Sequence, residues 1–209
     1  MFLFQILHIT MKKEIILPII LITAFLLALL MHYTWVDLLV HQYVDIFCTD
    51  NCALASDWIT HIGDGWLQVI LCCIMGIIYY TKTNYVTSRL WFYAAPISLL
   101  AGAMGQIIKF TFGRPRPKLL PELYDFQWFE VAGALRGFPS GHTLTSFAIV
   151  AVVASQYNAK GKIILFALAC VAGLSRITTN SHFIADVVFG AALGYFFGIV
   201  LKNILIKVK

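Results

Sequence analysis

Six apolar runs dictate a lipid bilayer as the solvent for this chain. They cover about residues 15–35, 66–80, 90–108, 143–157, 163–174 and 183–201. Only 12% of the 209 residues are charged, against about 25% in soluble globular domains. Mean hydropathy is +0.84. Hydrocarbon offers no partner for a backbone N–H or C=O, so runs of this kind fold as helices. The expected fold is all-α and integral to the membrane: one bundle of six transmembrane helices over residues 15–209, after a short head at 1–14. Met11-Lys-Lys-Glu reads as a natural start, which makes residues 1–10 an upstream extension. The second, fourth and fifth runs fall short of the ~20 residues that cross a bilayer, so they must lengthen into polar flanks. In the sixth run Gly190, Gly194 and Gly198 recur every four residues, a spacing that lets helices approach closely in lipid.

Charge placement orients the bundle. With six crossings, Lys12, Lys13, Lys82, Arg89, Lys160, Lys162, Lys202, Lys207 and Lys209 share one side. By the positive-inside rule that side is cytoplasmic, with both termini. The same placement argues against nucleic acid as the partner of a chain with formal charge +5. Residues 36–65, read as a loop, carry five aspartates and no Lys or Arg. This loop faces the extracytoplasmic side together with residues 109–142 and 175–186. Asp64 is read as a helix N-cap. Cys48 and Cys52 lie in this loop, either as a disulfide or as free thiols; Cys72, Cys73 and Cys170 lie in apolar runs as packing residues. Lys109, Arg114, Arg116, Lys118, Arg136 and Arg176 also fall on the outer side. Cations concentrated there call for an anion.

Three stretches supply the chemistry. Lys109-Phe-Thr-Phe-Gly-Arg114-Pro-Arg116-Pro117 leaves the third run. Its prolines end the helix and stiffen the exit, so Lys109 and Arg116 can converge; the alternative is a snorkelling basic collar. Arg114 is read as a solvated side chain, the alternatives being a contact to a headgroup or to a second phosphate. Pro139-Ser140-Gly141-His142 opens the fourth run. A helix N-terminus, a hydroxyl and a glycine there make an anion cradle, with a titratable imidazole beside it. Ser175-Arg176 precedes His182 and Asp186. Arg176 offers a planar fork suited to phosphate oxygens. His182 and Asp186, four apart, meet if the helix starts at His182; the alternative is a loop with an N-cap and an incidental ion pair. Neither zinc-ligand spacing nor an acidic magnesium cluster is present, so no cofactor or metal is expected.

These stretches resemble the type 2 phosphatidic acid phosphatase superfamily of membrane lipid phosphatases. Its motifs are K-x6-R-P, P-S-G-H and S-R-x5-H-x3-D. Lys109 to Arg116-Pro117, Pro139 to His142, and Ser175-Arg176 to His182 to Asp186 match in order and spacing. The match spans about residues 60–200; the first run and loop carry no motif. The resemblance implies roles. His182 is the nucleophile that forms a phosphohistidine, Asp186 orients it, and His142 protonates the leaving oxygen and later helps activate water. Lys109, Arg116, Ser140, Gly141 and Arg176 hold the phosphoryl oxygens.

Helix lengths suggest how deep the site lies. Arg89 to Lys109 spans about 30 Å as helix and Lys162 to Arg176 about 21 Å, at 1.5 Å per residue. Against a ~30 Å hydrocarbon core, the site sits at or just below the outer interface. A phosphate on a bilayer lipid suits that depth: undecaprenyl pyrophosphate, phosphatidylglycerol phosphate, phosphatidic acid or a lipid A phosphate. Residues 119–131 read equally as an interfacial lid or as a plain covering loop. The competing activities are lipid-to-lipid phosphotransfer at the same site, a vanadate-dependent haloperoxidase and a non-catalytic anion-binding protein. Six apolar spans disfavour the haloperoxidase, whose relatives are soluble. Short loops and small size suggest a bacterial inner-membrane enzyme.

Overall fold

The structure, a computed structural model, describes residues 2–120 and 122–206, without the side chains of residues 2–15 and 50. The basic side chains expected at Lys12, Lys13, Lys207 and Lys209 lie outside that description. Eight helices occur among the described residues, and no strand. They are α1 (Phe2–Tyr33), α2 (Val36–Phe47), α3 (Asp50–Thr60), α4 (Gly65–Thr81), α5 (Tyr85–Phe112), α6 (Gly141–Val153), α7 (Ala159–Thr178) and α8 (Ile184–Leu205). The stretch 2–14, expected as a separate head, is drawn into α1.

Four helices are long and apolar enough to cross a membrane: α1 over Ile16–Tyr33, then α5, α7 and α8. α3 and α4 form a further, broken span, bent by 55° at the 3₁₀ turn His61–Gly63. Asp64 caps α4 as expected, its Oδ1 accepting the Trp66 N–H at 3.3 Å. α6, the fourth apolar run, has only 13 residues, about 20 Å at 1.5 Å per residue. Six membrane helices were expected, the fourth run short of a full span; α6 is a short core helix walled by α5, α7 and α8. A helix buried in protein need not reach both bilayer surfaces, so its N-terminus can stop inside the bundle. The outward faces are apolar: Ile19, Ile22, Leu26 and Leu30 of α1 are exposed, as are Ile163, Ile164 and Leu168 of α7. The protein is a multi-pass membrane protein.

Residues 36–65 differ most from their reading as a loop. α2 repeats apolar side chains at Leu39, Val40, Tyr43, Val44 and Phe47, a helical spacing that the aspartates between them obscured. α2 and α3 are joined by a Cys48–Cys52 disulfide.

The small-residue stripe of α8 fits the spacing argument. A Cβ on Gly190 would lie 2.8 Å from the Ser140 carbonyl oxygen, and one on Gly198 2.6 Å from that of Ala148. One on Gly194 would overlap the Leu144 carbonyl. Both helices advance by four residues, so the stripe forms a continuous close contact between α8 and α6. Phe138 and Phe189 stack at 4.8 Å just above it. Backbone cannot rotate away from an added methyl group. Gly194→Val is therefore expected to separate α6 from α8 and to lose the monodisperse folded peak on size-exclusion chromatography in detergent.

Candidate active site

The site begins where α7 hands over to α8. α7 ends at Thr178, and Asn180 takes a left-handed conformation, φ 50°, which Asn tolerates better than most residues. The chain then folds back, and the Arg176 carbonyl accepts the N–H groups of both Ser181 and His182 at 3.0 Å. This turn brings His182 inside, where it is 3% exposed. Its Nδ1 lies 3.4 Å from Asp186 Oδ2. α8 starts at Ile184, not His182, so the pair meets across the helix cap rather than along one helical face. Asp186 Oδ2 also accepts the Phe183 N–H at 2.9 Å, fixing the carboxylate as a cap. Burial holds the His182 imidazole down at about 3 from its ordinary 6.5, although the Asp186 carboxylate beside it pulls the other way. The ring is neutral at pH 7.

The second piece is the N-terminus of α6. The Ser140 N–H donates to the Asp186 carbonyl at 3.0 Å, tying this terminus to α8. The Ser140 hydroxyl accepts from Thr143 Oγ1 at 2.9 Å and caps no backbone N–H of α6. The first-turn N–H groups thus have no side-chain cap, and the helix dipole there favours negative charge. Lys109 arrives from the end of α5; its Cε is 3.9 Å from where a Gly141 Cβ would stand. Its Nζ donates to the Arg136 carbonyl at 2.8 Å.

Lys109 lies within electrostatic reach of Arg116, Arg136 and Arg176, and Arg116 within reach of both other arginines. Among the described residues none of the four has a carboxylate within 4.0 Å. Arg116, Arg136 and Arg176 each keep a buried Nε–H with no protein acceptor. Buried donors without acceptors are costly, and gathered cations repel. A bound polyanion relieves both. Arg136 was not singled out as a site residue; its place one turn before Pro139 becomes informative only in three dimensions.

The acidic segment reaches the site as well. Arg176 Nη1 donates to Thr60 Oγ1 at the end of α3. The following turn presses Gly63 against His142: a Cβ there would be 2.7 Å from His142 Cβ and Cδ2. Arg114, expected to be solvated, is 1% exposed. Its Nη1 meets Asp186 Oδ1 and its Nη2 meets Asp37 Oδ2, each at 2.5 Å. Nη2 also sits 2.9 Å from His32 Nδ1. Asp37, one of the five aspartates expected in a loop, is 0% exposed. No spacing rule could pair Asp37 with Arg114, because 77 residues separate them.

Residues 89–208 match the PAP2 superfamily, more than half of the chain and all three cationic stretches. The chain belongs to the PAP2 superfamily. Among PAP2 relatives, a lipid A 1-phosphatase of Porphyromonas gingivalis is 32% identical over 102 residues, 47% of this chain and 20% of that protein. The phosphatidylglycerophosphatase B of Bacillus subtilis is 25% identical over 163 residues, 72% of this chain and 74% of that protein. The chain spans less than half the length of the lipid A 1-phosphatases it matches, 20%, 42% and 44%. The fold is that of a crystal structure described as the first transmembrane PAP2 type phosphatidylglycerolphosphate phosphatase from Bacillus subtilis. The TM-score is 0.64 at 21% identity, covering 90% of this chain and 97% of that one.

The Gly63 contact can be tested against its neighbour. No atom lies within 4 Å of a Cβ on Gly65. Gly63→Ala is expected to destabilise the protein by about 1–3 kcal/mol through overpacking on His142, and Gly65→Ala to stay within about 0.5 kcal/mol. Thermal unfolding in detergent compares the two.

Proposed function

We propose that this chain is a metal-independent phosphatase that removes a phosphate, or the terminal phosphate of a pyrophosphate, from a membrane lipid. The observation that carries the reading is the posture of His182. Its Nδ1 is turned to a buried carboxylate, which leaves Nε2 as the free nitrogen of a neutral ring. The unpaired cations gather on the same end of the bundle. A carboxylate behind an imidazole fixes the tautomer and stabilises the charge that develops on attack.

In the first step His182 Nε2 forms a bond to phosphorus and the bond from phosphorus to the lipid oxygen breaks. Burial and the Arg176 charge hold the His142 imidazole down at about 4 in the free protein, so it takes up a proton as the anionic phosphate binds beside it and gives that proton to the leaving oxygen. In the second step water attacks the phosphohistidine, the P–N bond breaks, and His142 takes a proton from the water. Lys109, Arg116, Arg176, the Ser140 hydroxyl and the Gly141 N–H bind the equatorial oxygens, where negative charge concentrates. Asp186 stays ionised throughout. Substrate classes from the relatives' names include the 1-phosphate of lipid A and phosphatidylglycerol phosphate; undecaprenyl pyrophosphate and phosphatidic acid carry the same chemistry. The site faces the extracytoplasmic side of the inner membrane and both termini the cytoplasm, an orientation that keeps the lysine-rich turns inside.

Purified protein is expected to release phosphate from at least one of those four lipids in the presence of EDTA, with inhibition by vanadate. His182→Ala is expected to lose at least about a thousandfold in kcat, as nucleophile removal does elsewhere. Turnover by that variant at the wild-type rate would sink the mechanism. The buried imidazole also fixes a pH dependence. Its folded value lies below 6.5, so the reactive neutral form persists as pH falls from 8 to 5. Radiolabelled phosphoenzyme, quenched in alkaline detergent because a P–N bond is acid-labile, is therefore expected to form at pH 5 as at pH 7; loss of the nucleophile with a midpoint near 6.5 would contradict this.

A further inference from the structure

Arg114 lies outside the residues assigned to phosphate or to proton transfer, yet it is the most buried cation near them. Both its Nη atoms are committed, one to Asp186 and one to Asp37 and His32. Its guanidinium lies 4.7 Å from the centroid of Phe183, the residue that caps α8. Only its Nε–H, buried without an acceptor, is left uncommitted. What the guanidinium reaches is the carboxylate behind the nucleophile.

Asp186 has three groups around it. Oδ1 accepts from Arg114 at 2.5 Å. Oδ2 accepts from the Phe183 N–H at 2.9 Å and faces His182 Nδ1 at 3.4 Å. With Arg114 in place the carboxylate plane is pinned at both oxygens. Without it, Oδ1 is a buried anion with no donor, and the carboxylate is free to turn away from His182. Asp37 in turn aims Arg114. Its Oδ2 accepts from Nη2 at 2.5 Å and its Oδ1 accepts the Ala185 N–H at 2.9 Å. Asp37 therefore reads the position of the first turn of α8 and transmits it to the guanidinium.

The backbone of Arg114 completes the link. Its carbonyl accepts the Gly137 N–H at 2.7 Å, two residues before the Pro139–His142 stretch. Two residues beyond it stands Arg116. One residue thus touches all three cationic stretches at once: its own by sequence, the approach to α6 by its carbonyl, and α8 by its side chain. A planar fork of donors is the group that can bridge two carboxylates in fixed directions.

We infer that Arg114 and Asp37 are positioning residues for the reaction, a buried Asp37–Arg114–Asp186 relay that holds the Asp186 carboxylate against His182. The inference rests on His182 being the nucleophile, as proposed above. It brings α2, which matches no family motif, into the working site.

The charge count gives a test that separates positioning from structural support. Asp37, Arg114 and Asp186 carry a net charge of −1 as ions. Arg114→Met alone leaves two buried carboxylates facing one another and is expected not to fold. Arg114→Met combined with Asp37→Asn restores −1, and the substituted amide oxygen can still accept the Ala185 N–H. This double variant is expected to unfold within a few degrees of wild type. Its kcat for phosphate release is expected to fall about a hundredfold, the scale of a misplaced reacting group. KM and the inhibition constant for vanadate are expected to stay within about threefold, because Lys109, Arg116 and Arg176 remain. Arg114→Lys keeps the charge but cannot span both carboxylates. It is the second arm, with kcat expected to fall about tenfold and vanadate inhibition unchanged. Wild-type kcat in either folded variant would overturn the relay while leaving the phosphatase reading intact. A wild-type protein that releases no phosphate from any of the four lipids would remove that reading and the relay with it.

Discussion

The close approach of α6 and α8 is the contact on which the site depends. The P-S-G-H stretch is the N-terminus of α6, and Asp186 lies in the first turn of α8. They can face each other only if the two helix axes run nearly in touch, and three glycines spaced by four make that possible. Association in lipid draws little from the hydrophobic effect, so close backbone packing must supply the adhesion. The contact ends in a shared hydrogen bond, Ser140 N–H to the Asp186 carbonyl. The His182–Asp186 segment and the anion cradle are thereby held by the same surface that holds the bundle together.

A bundle set in hydrocarbon must account for every buried charge, and this one does so in two opposite ways. Behind His182 each charge has a partner: Arg114 lies between Asp37 and Asp186. In front of it Lys109, Arg116, Arg136 and Arg176 have no carboxylate partner among the described residues. The paired half satisfies its cation and is left with a net charge of −1 over Asp37, Arg114 and Asp186. The unpaired half keeps a standing attraction for a polyanion, which arrives without any protein ion pair having to break first. Preorganised charge of this kind is the largest single contribution in most active sites.

The three cationic stretches were legible in the sequence because each sits at a helix end. Helix ends are where prolines, glycines and serines carry fixed meanings. The glycine stripe of α8 was legible for a related reason, since its period is close to that of the helix itself. The remainder was not. α2 reads as an acidic loop because Asp37 and Asp45 stand between its apolar residues. Arg114 reads as a solvated spare because the stretch already contains Lys109 and Arg116. Thr60 and Gly63 match no pattern, although Thr60 meets Arg176 across 116 residues of chain. Each of these roles is a contact between distant segments, and local spacing carries no information about such pairs. An excess of cations on the side expected to face outward was the one global signal, and it called for an anion without naming which cations would hold it.

The short α6 gives depth a structural cause. α6 and the 3₁₀ turn that continues it, Ala154–Gln156, reach about 26 Å, short of a ~30 Å hydrocarbon core. Walled by α5, α7 and α8, the helix can end early, and its N-terminus carries the cradle to that level. On the proposed function, a phosphate bound there would meet a lower dielectric, which strengthens each cation's hold. The broken α3–α4 span closes the same space from the other side, with Gly63 against His142 and Thr60 on Arg176. The bend keeps protein backbone, rather than lipid, beside the His142 imidazole. A straight span in that position would carry side chains past His142, and the 2.7 Å approach at Gly63 leaves room for none.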